Sequence, residues 1–380
     1  MDFTFSDEQT LLRDSVAGVL RSRQAETPCS AGTSAAGSRR IDIWHCLAHE
    51  LGVLGAAVEC ERGGLGGGPI EHMIIMEELG AALVREPYLE TVVIGAGLFA
   101  RCGGETAANA LGKVLEGEML VAYASAEPGM GIDPRAVATS AVRQMEGWRL
   151  HGRKRIVTAA PWASHLVVLA RVEDDDGTHA SLALFLVDKS LPGVLTDDFA
   201  TLDGRWAADI SFDGVAVPDA ARLTKGDAYP LVLEIADRAI TAGCAEALGL
   251  MRRLLEDTKS YVKQRRQFGT TLSSFQVVRH RLADMLIHLE MATSAVYLAT
   301  LTLGESADRR ALSAASAKLV VDDASRFIGQ NAIQLHGGMG MTEELAIGRF
   351  VKRLMAISAD FGAADLYVER EVARQPIMRE

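Results

Sequence analysis

Cysteine is scarce and unpatterned in this chain. Five residues (Cys29, Cys46, Cys60, Cys102 and Cys244) are scattered, odd in number and without a CxxC pair. That usage argues against a disulfide frame and a metal site of zinc type, and for a reducing compartment. Also missing is a charged-then-apolar leader, since the chain begins with Asp2 and an amphipathic helix pattern. No apolar run approaches the ~20 residues needed to cross a bilayer. The expectation is a cytoplasmic protein with no membrane span. Positive charge is not in excess either: the net charge is −11, which disfavours a nucleic-acid or anionic-membrane surface. An anionic ligand would need local cations, and these stand at Arg252-Arg253, Arg265-Arg266, Arg279-His280-Arg281 and Lys352-Arg353. Solvated helix faces are the competing reading of those clusters.

The hydrophobic share of 48% and charged share of 23% are ordinary for a globular protein, and 380 residues suffice for two or three packed units. Residues 1 to about 120 read as helical. Ser6-Asp7-Glu8-Gln9 is a helix start, followed by a stripe of Leu11, Leu12, Val16, Val19 and Leu20. The Ala-, Ser-, Gly- and Thr-rich stretch 25–38 reads as a loop. Helical spacing returns over 41–51, 70–82 and 88–100, with the glycine run Gly63 to Gly68 as a break. From Met119 the pattern turns to short β runs (120–123, 148–150, 165–170 and 182–187), punctuated by Gly, Pro and Asp. Long helices rich in Ala, Leu and Arg resume near Asp227. The domain boundaries expected from this order are 1–120, 121–225 and 226–380. Helical, then β, then helical is not the strand–helix alternation of a dinucleotide-binding α/β fold. The glycines at 63–68 and Gly129-Met130-Gly131 are therefore read as turns.

Two segments of the last third mix cations, amides and bare backbone. In Arg265-Arg266-Gln267-Phe268-Gly269, followed by Ser274-Phe275-Gln276, a guanidinium leaves a helix end just before a Phe-Gly break. A planar, permanently charged fork suits a pyrophosphate, and Phe268 offers a face to an adenine. In Gln334-Leu335-His336-Gly337-Gly338-Met339-Gly340, an amide stands one helical turn before two residues with no side chain. Such a pair lets a cofactor approach the backbone, or lets two helices cross tightly.

Together with Glu77-Glu78-Leu79-Gly80, Glu127-Pro128-Gly129 and Gly152-Arg153-Lys154, these segments resemble the acyl-CoA dehydrogenase family in order and along nearly the whole chain. The resemblance implies an α+β fold: an N-terminal helical domain, a middle antiparallel β-barrel-like domain and a C-terminal four-helix bundle. It implies FAD as cofactor, contacted by Arg265, Phe268, Phe275, Gln276, Gln334, Gly337 and Gly338 across a subunit interface, with Ser125 and Thr158 of the middle domain meeting the flavin ring. The implied partners are an acyl-CoA or other acyl-thioester substrate and an electron-transfer flavoprotein or similar acceptor. The implied assembly is a homo-oligomer (dimer or tetramer) or a heteromer with a related subunit. Departures from the family pattern fall at Ala126, Ile156, Ile132, Ala363 and Asp365. Trp162 is a further candidate to shield the ring, with core burial as its other reading.

The catalytic glutamate of that family immediately precedes a glycine; this chain reads Asp360-Phe361-Gly362. Phe361 cannot take a proton, although its backbone N–H survives to polarise a thioester carbonyl, which makes it a candidate substrate contact. Asp360 is adjacent, but helix neighbours point about 100° apart. Some family members carry the base on an earlier helix. The corresponding position here is Ala239, two residues from Asp237. Asp360 and Asp237 are the candidate catalytic residues, and surface or ion-pair roles are their competing readings. Three functions follow from the resemblance: an FAD-dependent acyl-thioester dehydrogenase, a base-lacking partner subunit of a heteromeric dehydrogenase, and a flavin oxidase or carrier-protein enzyme on the same fold.

Overall fold

Ser6 opens the first helix through a reciprocal capping box. Its Oγ accepts from the Gln9 N–H at 3.2 Å, and its own N–H donates to Gln9 Oε1 at 3.1 Å. The computed structural model describes residues 4–26, 41–173, 180–342, 344–363, 365–367 and 369. The 25–38 loop expectation lies almost wholly outside these. The α-helices are α1 (Asp7–Glu26), α2 (Asp42–His45), α3 (Pro69–Ala81), α4 (Gly97–Arg101), α5 (Glu105–Leu115), α6 (Tyr229–Gln264), α7 (Gln276–Thr302), α8 (Ala307–His336) and α9 (Ile347–Ala359). The strands are β1 (Val121–Ala124), β2 (Ser140–Gln144), β3 (Gly147–Thr158), β4 (His165–Glu173), β5 (Ala180–Asp188), β6 (Val194–Ala200), β7 (Trp206–Val217), β8 (Arg266–Gln267) and β9 (Thr270–Thr271). The chain divides into two compact units, one of Met1–Ser34, Pro69–Val84 and Ile240–Glu380, the other of Ala35–Gly68 and Arg85–Ala239.

In the first unit α7 packs along α8, α8 on α9, α1 on α3, and α3 on α7. Two glycines bring α3 and α6 into backbone contact: a Cβ on Gly80 would lie 2.1 Å from the Glu246 carbonyl oxygen, and one on Gly249 would lie 1.9 Å from that of Glu77. Glu77, 1% exposed, is held there by Arg13 at 3.3 Å and by Arg252. By length and composition α7 qualifies as a membrane-spanning helix, its best 18-residue window reaching a mean hydropathy of 1.2. It contains Arg279, Arg281, Asp284 and Glu290, so it is not an uninterrupted apolar run. Val278, Met285, Leu289, Ala292, Val296 and Ala299 are its buried face.

The second unit is built on a seven-stranded sheet. It is mixed rather than wholly antiparallel as expected: β1 and β2 run parallel to β4, whereas β4–β5, β2–β3, β3–β7 and β6–β7 are antiparallel. A parallel pair needs a long crossover, and the residues between β1 and β4 supply one. The run Leu166–Ala170 is fully buried because β4 is covered on both faces. Glu90, in a π-helical turn over Leu89–Ala96, receives Arg205 Nη2 on both carboxylate oxygens at 2.8 Å. The glycine run 63–68 is a packed turn, since a Cβ on Gly64 would meet the Val58 carbonyl oxygen at 2.1 Å. Cys46, Cys60, Cys102 and Cys244 form no disulfide among the described residues, and Cys29 lies outside them.

Candidate functional site

In the helical unit, α6 ends where the Arg265 N–H donates to the Tyr261 carbonyl at 2.8 Å, and the Leu272 N–H closes on the Arg265 carbonyl at 2.9 Å. Between them β8 and β9 pair as a hairpin whose two turn residues, Phe268 (φ +54°) and Gly269 (φ +80°), both adopt positive φ. Two-residue hairpin turns demand that geometry, but a phenylalanine in it is uncommon and strained. The strain displays the ring rather than burying it: Phe268 is 89% exposed and meets Phe275 edge-on at 6.2 Å. Arg265 and Gln276, the residue that opens α7, are exposed beside this pair in sequence.

Helix α8 ends at His336, and Gly337 turns the chain at φ +61°. Gln334, Gly337 and Gly338 are exposed, and a Cβ on either glycine would meet nothing within 4 Å. The glycine pair therefore makes no tight helix crossing among the described residues. It leaves a bare strip of backbone, as a ligand-cradling loop requires. Tyr261 joins the two motifs: its ring stacks on His336 at 4.3 Å between centroids, and its hydroxyl donates to the His336 carbonyl at 3.3 Å. Arg265, Phe268, Phe275, Gln276, Gln334, Gly337 and Gly338 thus belong to one unit, with a direct contact at the roots of the two motifs. An exposed guanidinium, an exposed aromatic face and open glycine backbone fit the ADP portion of FAD.

The third feature of this unit is the end of α9. Lys318, 2% exposed, donates from Nζ to the carbonyls of Ile357 at 2.6 Å and Ser358 at 2.9 Å. Buried Arg353 forks onto Glu246, with Nε to Oε1 at 2.6 Å and Nη2 to Oε2 at 2.8 Å, and its Nη1 lies 3.8 Å from Asp360 Oδ2. The chain then leaves the helix through Phe361 (φ +62°) and Gly362 (φ +96°), and the Tyr367 hydroxyl donates to the Phe361 carbonyl. This turn is clamped at its carbonyls and at its aspartate. The Phe361 N–H donates to no acceptor among the described residues.

In the sheet unit, Ser125 and Thr158 are half-buried, Thr158 closing β3 opposite Ala207. Lys154 of β3 is fully buried; its Nζ donates to Glu127 Oε1 at 2.7 Å and to the Ser125 carbonyl at 3.2 Å. Glu127 also accepts the N–H groups of Ala138 at 2.7 Å and Thr139 at 3.0 Å. Burial alone would raise the Glu127 pKa, but the Lys154 ammonium and these donors hold it below the usual carboxylate value. Burial lowers the lysine to about 8, against the pull of Glu127. The knot fixes the Ser125 segment to β3. Where β3 is out of step with β7 between Lys154 and Val157, Ile156 sits at φ +50°, 54% exposed, its N–H donating to Asp209 Oδ1 at 2.9 Å. A β-branched residue at positive φ is a genuine backbone outlier. Trp162 packs against the core of the sheet, in line with its core reading. Asp237 is 3% exposed on α6.

Lys318, Tyr367, Tyr261 and His336 were not among the candidates read from the sequence, where Arg353 stood among the cation clusters open to an anionic ligand or a solvated helix face. Lys318 carried a usable signal: it is a lone cation among Ala314, Ala315, Ala317 and Val321, on the buried face of α8. The Arg353–Glu246 and Tyr261–His336 contacts are long-range and local pattern does not reveal them, whereas Tyr367 reaches only six residues back to Phe361.

Comparison with known proteins covers most of the chain. Models of the acyl-CoA dehydrogenase N-terminal, middle and C-terminal domains match residues 6–118, 122–215 and 236–374. Benzylmalonyl-CoA dehydrogenase of Aromatoleum aromaticum is 30% identical over 362 residues, covering 93% of each chain. Among solved structures, the ChsE4-ChsE5 complex from Mycobacterium tuberculosis superposes with a TM-score of 0.86 at 26% identity, over 99% of this chain and 100% of that one. Butyryl-CoA dehydrogenase from Megasphaera elsdenii superposes with a TM-score of 0.88 at 25% identity, over 98% and 100%.

Proposed function

Because the chain belongs to the acyl-CoA dehydrogenase family, a family of FAD-dependent oxidoreductases acting on CH–CH bonds, we propose that it desaturates an acyl thioester between its α and β carbons, with Asp360 taking the α-proton. The observation that carries this reading is the α9 turn, where an N–H with no acceptor among the described residues and a carboxylate stand on adjacent residues. Desaturation removes a proton from the α carbon and a hydride from the β carbon. FAD, when bound, supplies the hydride acceptor. The remaining tasks belong to the chain.

The first task is holding the cofactor. Arg265 would neutralise its pyrophosphate, Phe268 and Phe275 would flank its adenine, and Gln276, Gln334, Gly337 and Gly338 would line it with amides and open backbone. Ser125 and Thr158 would hydrogen-bond the ring. The second is acidifying the substrate: the Phe361 N–H would donate to the thioester carbonyl, stabilising the negative charge that develops as the α-proton leaves. The Phe361 ring would border the acyl chain. The third is accepting the proton. Asp360 shares the turn with that N–H, while Asp237 lies about 200° around α6 from Ala239, on the opposite face. An electron-transfer flavoprotein or similar acceptor, a dimeric or tetrameric assembly and a cytoplasmic location belong to the same proposal.

One observation favours a second reading. Phe361 replaces the family's base and Arg353 already engages Asp360, which suits a partner subunit that supplies FAD contacts while another chain supplies the base. The ChsE4-ChsE5 relative is itself a complex of two different chains. Air-free addition of an acyl-CoA panel to the purified chain, followed by visible flavin absorbance, separates the two. Bleaching by one substrate class supports the first reading. A flavin that stays oxidised until a second, related subunit is added supports the other.

A further inference from the structure

The contact between Tyr261 and His336 has a consequence for the cofactor site that neither motif reveals alone. Tyr261 is the last-turn residue of α6 whose carbonyl accepts the Arg265 N–H at 2.8 Å, so its backbone sets the point where the hairpin leaves the helix. Its side chain reaches the other motif, with ring on ring at 4.3 Å and 28°, and its hydroxyl on the His336 carbonyl at 3.3 Å. His336 is 4% exposed and its Nδ1 bonds the Ala332 carbonyl at 2.8 Å. The ring is thereby fixed to its own helix, with Nδ1 as the donor because a carbonyl oxygen only accepts. Immediately after His336 the chain swings to φ +61° at Gly337. A Cβ on Gly337 or Gly338 meets nothing within 4 Å among the described residues, and the Gly337 N–H is held by the Ile333 and Gln334 carbonyls of α8. The register of this bare backbone relative to Arg265 therefore depends on the residues just before it, and Tyr261 grips the last of them.

We propose that Tyr261 is a positioning residue for the dinucleotide: it couples the Arg265–Gly269 hairpin to the Gly337-Gly338 backbone, so that the cation and the open glycines meet the ADP portion of FAD together. This rests on the reading of the site given above. It goes beyond it by assigning cofactor affinity to a residue that stands behind both motifs and need not touch the cofactor itself. The hydroxyl and the ring have separable parts. The hydroxyl holds the final carbonyl of α8, and the ring holds the imidazole.

The test compares Tyr261→Phe and Tyr261→Leu with the wild type, using the full chain freed of flavin and titrated separately with FAD, ADP and FMN. Tyr261→Phe keeps the stack and loses the hydroxyl. It is expected to weaken FAD and ADP about two- to tenfold, the worth of one neutral hydrogen bond. Tyr261→Leu is expected to weaken both by more than Tyr261→Phe does and by a common factor, with FMN affinity unchanged, because FMN lacks the adenosine end. Wild-type affinity for FAD in both variants would overturn the proposal, and so would an equal loss of FAD and FMN, which a general loosening of the fold would produce. If Tyr261→Leu does not fold, Tyr261→Phe decides alone, and unchanged ADP affinity there overturns it. A wild-type chain that takes up neither FAD nor ADP would overturn the reading of the site, and this inference with it.

Discussion

Arg353 Nη1 lies 3.8 Å from Asp360 Oδ2 while the same guanidinium forks onto Glu246 at 2.6 and 2.8 Å. Its shorter bonds are to Glu246, so Asp360 holds the weaker end and remains 32% exposed at the mouth of the α9 turn. Asp360→Asn removes the proton acceptor and leaves the Phe361 N–H in place. The expected result is a fall of about 10²- to 10⁴-fold in the rate of flavin reduction, with FAD affinity unchanged. Asp237→Asn is expected to reduce that rate far less. Air-free stopped-flow absorbance measures both, and a faster loss with Asp237→Asn would move the base to α6.

The Arg353–Glu246 pair also sets a stability prediction. Both side chains are buried, so Arg353→Met strands a carboxylate at a cost of about 3–5 kcal/mol. Replacing both partners, as Arg353→Met with Glu246→Met, is expected to recover a large part of that loss, because two apolar groups leave no unpaired charge. Denaturant midpoints of the two single variants and the double variant measure the coupling. A double variant less stable than either single one would contradict the assignment.

Backbone contact between α3 and α6 predicts opposite signs for chemically identical substitutions. Gly249→Ala and Gly80→Ala place a methyl group 1.9 Å and 2.1 Å from carbonyl oxygens of the facing helix. The helices must separate, and a loss of about 1–3 kcal/mol or more is expected for each. Gly18→Ala, in α1, meets nothing within 4 Å and is expected to gain roughly 0.5–1 kcal/mol. Thermal midpoints of the three variants check the ordering.

Much of the fold was legible from sequence. The helical–β–helical order follows from a change of apolar period near Met119, and Ser6 and Gln9 form the box that their spacing suggests. Among the strands of the sheet, β2, β6 and β7 escaped notice: β2 is mostly exposed, β6 is half-exposed and carries Asp197 and Asp198, and β7 mixes aspartates with small residues. The parallel pairing of β1 and β2 with β4 was equally hidden, because register and direction are tertiary facts that alternation does not encode. At the site, the Phe268-Gly269 break was visible because a two-residue turn is local. The roles of Arg353 and Tyr261 were not, because each acts on a carboxylate or carbonyl far away in sequence.

The Glu127–Lys154 knot predicts a pH dependence. The folded-state pKa of Glu127 lies below its ordinary value of 4.5, so its contribution to stability is fully present above the unfolded pKa. It is lost as pH falls through the folded one. Glu127→Gln removes this contribution and leaves Lys154 with a neutral partner. The stability gap between wild type and Glu127→Gln should therefore shrink progressively as pH falls below about 4.5. Urea unfolding at a series of pH values measures the gap, and a gap that widens on acidification would contradict the sign.

The most direct test of the central claim is the visible spectrum of the purified chain during air-free titration with acyl-CoAs of graded length and branching. The account predicts a bound flavin that bleaches with one substrate class and releases the matching 2,3-enoyl product, and that fails to bleach once Asp360 is asparagine. A flavin that no acyl thioester reduces, with or without a related second subunit, would contradict it.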